Sequence, residues 1–234
     1  MIIAGLEKLT LVDFPAHVAA TIFLRGCPFR CKFCHNPELV IPAQYAEPIS
    51  KDIVLEYLSS RRGKLDGVCI SGGEPTIWDD LESFIEEIYA RGYHIKLDTN
   101  GFFPDRVKKI LASGKIYMVA MDVKAPLERY SDIVGIAADW QVIQESINII
   151  MQACVEGLIQ DYLFRTTVAS PLIQEKDMQG IGRLIKGARC YVLQNFVLSK
   201  HVGDVVALHS CTPEELNRYA DYVRNDVDRV IIHY

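Results

Sequence analysis

The chain has 234 residues, half of them hydrophobic, and a formal net charge of −5 at pH 7. That size allows one domain with a sizeable core. The acidic balance and the lack of a Lys/Arg-rich run exclude a general nucleic-acid binder, which needs clustered positive charge to neutralise phosphates. The first residues carry no basic start, long apolar core or small-residue cleavage site, so no signal peptide is expected. Apolar runs such as 18–24 are far short of a membrane span. A cytoplasmic protein without membrane contact is the expectation.

In chain order, the apolar, β-branched run 18–25 is the first predicted strand and closes at Gly26. Residues 27–48 hold four prolines and read as loop. Ser50 starts a predicted helix over 50–62, with Ile53, Val54, Tyr57 and Leu58 at helical spacing. A short buried strand at 67–71 runs into Gly72-Gly73. A helix at 79–91 precedes a strand at 93–99, which ends at the turn signal Asn100-Gly101. Pro104 opens a short helix to residue 113, and a strand follows at 117–122. Beyond a variable stretch come a helix over 139–156, a strand at 161–168, a helix at 176–186 and a strand at 190–198. Thr212-Pro213-Glu214-Glu215 has the form of a capped helix start for 212–223, and 227–233 is a last strand.

Strands alternating with helices imply right-handed βαβ units and a parallel sheet. The expected fold class is α/β, a partial (β/α)6-type parallel barrel. One domain is expected over 1–234, with a cysteine loop at 26–37, a barrel core at about 18–198 and a C-terminal helix and strand at 212–233. Working residues in such folds lie at the C-terminal ends of the strands.

Seven cysteines is an odd number, and Cys69, Cys154, Cys190 and Cys211 are scattered singly. That is no disulfide framework. Cys27, Cys31 and Cys34, spaced C-x3-C-x2-C, point to a metal site instead. A [4Fe–4S] cube normally takes four thiolates, whereas this loop offers three, which would leave one iron open to a cofactor. A Cys3His zinc site using His35 is the simpler alternative, although His35 directly follows Cys34 and both would have to face one small ion.

Three further motifs fall at strand ends. Ser71-Gly72-Gly73-Glu74-Pro75 combines glycines, which permit close backbone approach, with a carboxylate. Asp98-Thr99-Asn100-Gly101 and Asp122-Val123-Lys124 place two aspartates toward one mouth, where they repel unless a cation lies between them. Arg165 stands among apolar neighbours in its strand and needs an anionic partner.

The C-x3-C-x2-C loop, with Phe33 just before its third cysteine, resembles that of the radical S-adenosylmethionine (SAM) superfamily. The resemblance implies a [4Fe–4S] cluster on Cys27, Cys31 and Cys34 whose open iron binds SAM. It makes Phe33, Gly72, Gly73, Glu74, Asp98, Thr99, Asp122, Lys124 and Arg165 the cofactor-binding set, with Glu74 near the SAM amine. Lys124 and Arg165 are the candidate catalytic side chains. The pairing D-T-N-G with D-x-K resembles the glycyl-radical-activating branch, where two aspartates and a threonine help hold a monovalent cation. The stretch Gly5 to Pro15 and Cys34-His35-Asn36-Pro37-Glu38-Leu39 resemble the anaerobic ribonucleoside-triphosphate reductase activating proteins.

The reaction so implied is removal of an α-hydrogen from a glycine of such a reductase or a similar glycyl radical enzyme. A flavodoxin or ferredoxin is the implied electron donor. The pyruvate formate-lyase relatives carry a SAM-contacting histidine where this chain has Val197. Two other readings stay open: a small-molecule radical SAM enzyme similar to 7-carboxy-7-deazaguanine synthase, and a non-catalytic zinc module. Gly180-Ile181-Gly182 lacks the third glycine of a dinucleotide loop, and His201 and His209 read as solvated loop residues.

Overall fold

The computed structural model describes residues 1–198 and 208–234. Eight strands form one sheet in chain order: β1 (Ile3–Thr10), β2 (Ala19–Leu24), β3 (Gly67–Gly72), β4 (His94–Thr99), β5 (Met118–Asp122), β6 (Asp161–Val168), β7 (Tyr191–Asn195) and β8 (Val230–His233). Only β1 pairs antiparallel; every pairing from β2 to β8 is parallel. Helices α1 (Lys51–Ser60), α2 (Leu81–Tyr89), α3 (Pro104–Ala112), α4 (Tyr130–Val134), α5 (Gln141–Val155), α6 (Asp177–Leu184) and α7 (Pro213–Asp221) supply the crossovers and the C-terminal layer. This is the α/β parallel arrangement that the alternating pattern predicts.

Strand periodicity explains where the site comes from. Successive strand residues face opposite sides. Ile22, Ile70, Leu97, Val119, Phe164 and Leu193 belong to the large core shared with the helices. The alternate residues face inward. At the N-terminal ends, Ala19, Met118, Ala120, Leu163 and Val192 pack with Phe14 into a second, apolar plug. Further along the same inward rows the residues turn polar: Ser71, Asp98, Asp122, Arg165, Thr167 and Gln194 all line one cavity. In β5, β6 and β7 the inward row thus runs from apolar residues (Met118 and Ala120, Leu163, Val192) to a polar end (Asp122, Arg165, Gln194). The parallel register then sets Asp122 opposite Arg165 and Cys69 opposite Lys96.

The structure adds two elements. β1 precedes the run at 18–25 that reads as the first strand. It is an edge strand whose middle is largely open to solvent, with Ile3 and Thr10 its buried ends, so it shows little apolar alternation. Inside the variable stretch, α4 turns out at Gly135 in the left-handed region (φ 73°). The last parallel strands are shorter than their apolar runs: β7 stops at Asn195, not 198. Gly180 and Gly182 are close-packing positions in α6, since a β-carbon there would lie 2.4 Å from Pro126 and 2.7 Å from Asp226. They form no nucleotide loop.

The capped start at Thr212 is present as a reciprocal capping box. Thr212 Oγ1 accepts from the Glu215 N–H at 3.2 Å, and Glu215 Oε2 accepts from the Thr212 N–H at 2.8 Å. Thr212→Ala should cost about 1 kcal/mol and lower the melting temperature by about 2–4 °C, whereas Thr212→Ser should cost much less. Equal melting curves for all three proteins would contradict the cap's contribution.

Candidate functional site

The cysteine loop leaves β2 through Gly26 and is tied to the sheet at several points. The Gly26 N–H donates to the Leu39 carbonyl at 2.7 Å, and its own carbonyl accepts from the Glu74 N–H at 2.7 Å. Arg30 donates to the carbonyls of Cys27 (2.8 Å) and Phe29 (2.7 Å), and its N–H donates to the Val134 carbonyl. Phe29 is buried against Phe102, Tyr130 and Trp140. The Cys34 N–H donates to the Cys31 carbonyl at 3.1 Å, which winds the loop so that three half-exposed thiols line one cavity.

Burial pushes the Cys27 thiol up to about 12, helped by the Glu74 charge, and the Cys31 thiol up to about 11. Cys34 is raised for the same reason. Ligation of metal must therefore displace protons from these thiols. The other four cysteines are buried singly elsewhere.

The Ser71–Pro75 turn forms the adjoining wall. Gly72 has φ +125°, and a β-carbon on Gly73 would lie 2.1 Å from the Gly26 carbonyl oxygen. Only glycine lets this turn and the cysteine loop meet. Both glycines line the cavity, as the motif predicts.

Glu74 corrects its expected role. Its side chain has no exposed surface and does not reach the cavity. Oε1 accepts from Thr76 N–H (3.1 Å), Thr76 Oγ1 (2.5 Å) and Thr99 Oγ1 (2.8 Å), and Oε2 accepts from the Asn100 N–H (2.6 Å). Burial raises this carboxyl and the four hydrogen bonds work against the shift. Glu74 therefore clamps the third strand's turn to the fourth strand's turn, from behind the cavity wall. Asn100, held by that clamp, points its amide Nδ2 at Cys27 Sγ (3.7 Å).

The opposite wall is a chain of charges. Asp122 Oδ1 accepts from Arg165 Nε at 2.6 Å and Oδ2 from Lys124 Nζ at 2.8 Å. Arg165 Nη2 also stands 3.8 Å from Asp98 Oδ2, which accepts from Ser71 Oγ at 3.2 Å. The other oxygen of Asp98 is paired with Lys96, a buried lysine whose ammonium lies 3.7 Å from Cys69 Sγ. Burial works to raise the Asp122 carboxyl, but Arg165 and Lys124 outweigh it and hold it well below the ordinary range. Burial works to lower Lys96, and Asp98 with Cys69 outweighs it, so Lys96 stays charged. The Lys124 ammonium also lies 5.8 Å over the ring of Phe33, which closes this end of the cavity.

The structure thus gathers Cys27, Cys31, Cys34, Phe33, Gly72, Gly73, Asp98, Thr99, Asp122, Lys124 and Arg165 around one cavity of about 270 Å³. That is close to the lower bound of small-molecule sites. Arg165 finds its anionic partner in the protein itself. Ser71 and Asn100, which lie within the Ser71–Pro75 and Asp98–Gly101 motifs, bond to Asp98 and Cys27 respectively, and Lys96, which lies in no motif, joins the same network through Asp98. Lys96 was readable from the sequence, being two residues before Asp98 on the same strand face. Val197 is exposed; its carbonyl accepts from His35 Nε2 at 3.1 Å, and His35 stacks on Phe196. From that strand it is Gln194 that reaches the cavity wall. His35 also lines the cavity, but its Nε2 is engaged at the end of β7, which weakens the Cys3His zinc reading. Among the described residues no three His, Cys, Asp or Glu side chains are grouped to hold a single metal ion. His209 is exposed with its backbone bridged to Ser170, and His201 lies outside the described residues.

This geometry suits one of the two implied groups and not the other. Three thiols from one loop, beside a glycine-lined wall and with no fourth cysteine at the cavity, fit a cluster with one open iron. A monovalent cation between Asp98 and Asp122 does not fit. All four of their oxygens already accept from Lys96, Arg165, Lys124 or Ser71, and none is among the buried atoms left unpaired.

Known proteins carry the same arrangement of sequence and fold. The family model for the radical SAM superfamily matches residues 21–167. A Methanocaldococcus jannaschii protein named as a glycyl-radical enzyme activating enzyme is 30% identical over 200 residues, 83% of this chain and 80% of that protein. The pyruvate formate-lyase-activating enzyme of Listeria monocytogenes is 32% identical over 101 residues, 42% of this chain and 40% of that enzyme. In fold, Streptococcus suis SuiB bound to S-adenosylmethionine matches with a TM-score of 0.64 at 12% identity, over 92% of this chain and 52% of SuiB. Among the described residues no helix is long and apolar enough to cross a membrane. With a family match over more than half its length and a relative alike over four-fifths of both proteins, this chain belongs to the radical SAM superfamily, in the family of glycyl-radical-enzyme activating enzymes.

Proposed function

We propose that Cys27, Cys31 and Cys34 hold a [4Fe–4S] cluster and that SAM occupies the cavity beside it. The protein substrate is then a glycine loop of an anaerobic ribonucleoside-triphosphate reductase or a similar glycyl radical enzyme. The observation that carries this reading is the shared cavity: three thiols, the Gly72-Gly73 backbone and the Asp98–Arg165–Asp122–Lys124 chain all line it. When bound and reduced, the cluster would supply the electron that cleaves SAM and yields the adenosyl radical.

The chain's own residues bind, orient and exclude water. Gly72 and Gly73 offer bare backbone at a distance that any side chain would prevent. Lys124 and Arg165, fixed by Asp122, present positive charge where a carboxylate of the ligand would lie. Asn100 aims an amide donor at Cys27 Sγ, which stabilises negative charge on that ligand. Phe33 covers the cavity beside Lys124 and keeps water from it.

The choice of reductase rests on the opening stretch from Gly5 to Pro15, which resembles the activating proteins of that enzyme. An external flavodoxin or ferredoxin supplies the electron, because Cys69, Cys154, Cys190 and Cys211 are isolated from one another and offer no second cluster. The reducing cytoplasm suits thiolate ligation.

Anaerobic incubation of reduced protein, SAM and the candidate reductase should produce a glycyl doublet in the electron paramagnetic resonance spectrum. Turnover of a small molecule such as a carboxy-deazapurine precursor, with no glycyl signal from any glycyl radical enzyme of the organism, would overturn the choice of substrate.

A further inference from the structure

We propose that Lys96 supplies, from inside the barrel, the positive charge that the resembled activating enzymes take from a monovalent cation, so that this chain binds SAM without one. The inference rests on reading the cavity as the SAM site. Its first support is occupancy. Asp98 spends one oxygen on the Lys96 ammonium and the other on Ser71 and Arg165, and Asp122 divides its two between Arg165 and Lys124. Thr99 Oγ1 donates to Glu74 and accepts from the Gly101 N–H at 3.1 Å, so the third implied ligand is engaged as well.

The second support is charge. Two carboxylates face three cationic side chains, Lys96, Arg165 and Lys124, in one connected set. Both aspartates are therefore already neutralised by protein side chains, with Lys96 and Arg165 on Asp98 and with Arg165 and Lys124 on Asp122. The third is placement. Lys96 is 2% exposed and lies on the inward row of β4, below Asp98 and against Cys69. It holds Asp98 from the side away from the cavity, which leaves the cavity face to the ligand. Lys96 is a positioning residue, since it acts through Asp98.

Equilibrium binding of SAM to the reconstituted holoenzyme tests this at constant ionic strength in potassium, sodium or tetramethylammonium chloride. For the unaltered protein the three dissociation constants should agree within about twofold. Lys96→Ala opens room and leaves Asp98 unbalanced, so its affinity should fall about tenfold in tetramethylammonium and return with potassium. A merely structural loss would show no such cation-specific rescue, and Lys96→Arg should behave as the parent. An increase of about fivefold or more in the parent's affinity on adding potassium or sodium would overturn the proposal, even if the alanine variant does not fold. Rubidium uptake by the same parent protein separates the two readings. Should no SAM bind in any salt, the cavity assignment fails, and stoichiometric bound rubidium would independently sink the role of Lys96.

Discussion

Replacing any one of Cys27, Cys31 or Cys34 by Ala should reduce SAM cleavage to below about one per cent of the parent rate, because two remaining thiolates cannot hold the cube. The same change at Cys154, Cys190 or Cys211 should retain most activity. Those three thiols are buried away from the cavity, and each loses only a small packing contribution. Cys69→Ala sits closer to the site, beside Lys96, and should weaken rather than abolish cleavage. The comparison is read as 5′-deoxyadenosine formed per protein under dithionite, with iron content measured in parallel. A loop-cysteine variant that keeps full iron and full cleavage would show that the ligands are misassigned. So would a dead variant of a scattered cysteine in a folded protein.

The second large effect lies at Arg165. Its guanidinium joins Asp122, at 2.6 Å, to Asp98, at 3.8 Å, across two neighbouring strands of the barrel mouth. Removing one partner of a largely buried ion pair leaves the other charge unsolvated, which is worse than removing both. Arg165→Met should therefore cost about 3 kcal/mol, a loss of about 6–12 °C in melting temperature for a chain of this size. Adding Asp122→Asn should recover part of that loss, since the stranded carboxylate is gone. SAM binding should be poor in both variants, because Lys124 loses its fixed carboxylate in one and its charge partner in the other. Calorimetric melting of the parent, the two single variants and the double variant closes the cycle. A double variant that melts below both single variants would contradict the coupling.

The parts of the site written in local motifs were legible from the sequence. The three cysteines, the two glycines and the Asp98 and Asp122 motifs each end a strand, and strand ends of one parallel sheet share a mouth. Tertiary pairing was not legible. Glu74 belongs to a motif whose relatives suggest a ligand contact, yet the structure turns it away from the cavity. Four donors from the neighbouring turns meet its carboxylate there, and motif spacing cannot show which way a side chain turns. Arg165 was expected to meet an anion in the barrel, but the register of β5 against β6 decides that the anion is Asp122. Lys96 passed as an ordinary strand residue, although counting by twos from Asp98 places it on the inward face.

The fold shows the same division. Apolar runs located the buried parallel strands. β1 was missed because an edge strand with a solvent-facing middle gives no clear alternation. The ends of β7 and α6 depend on packing against residues distant in sequence, which propensity does not carry.

On the proposed reading, three thiols and the charged wall of the same cavity serve one SAM molecule on one cluster. The most direct measurement is anaerobic reconstitution followed by single-turnover reduction with SAM. About four irons and four sulfides per chain, with methionine and 5′-deoxyadenosine formed in equal amounts, is the predicted result. A colourless protein that binds a single zinc through the same cysteines and leaves SAM intact would contradict it.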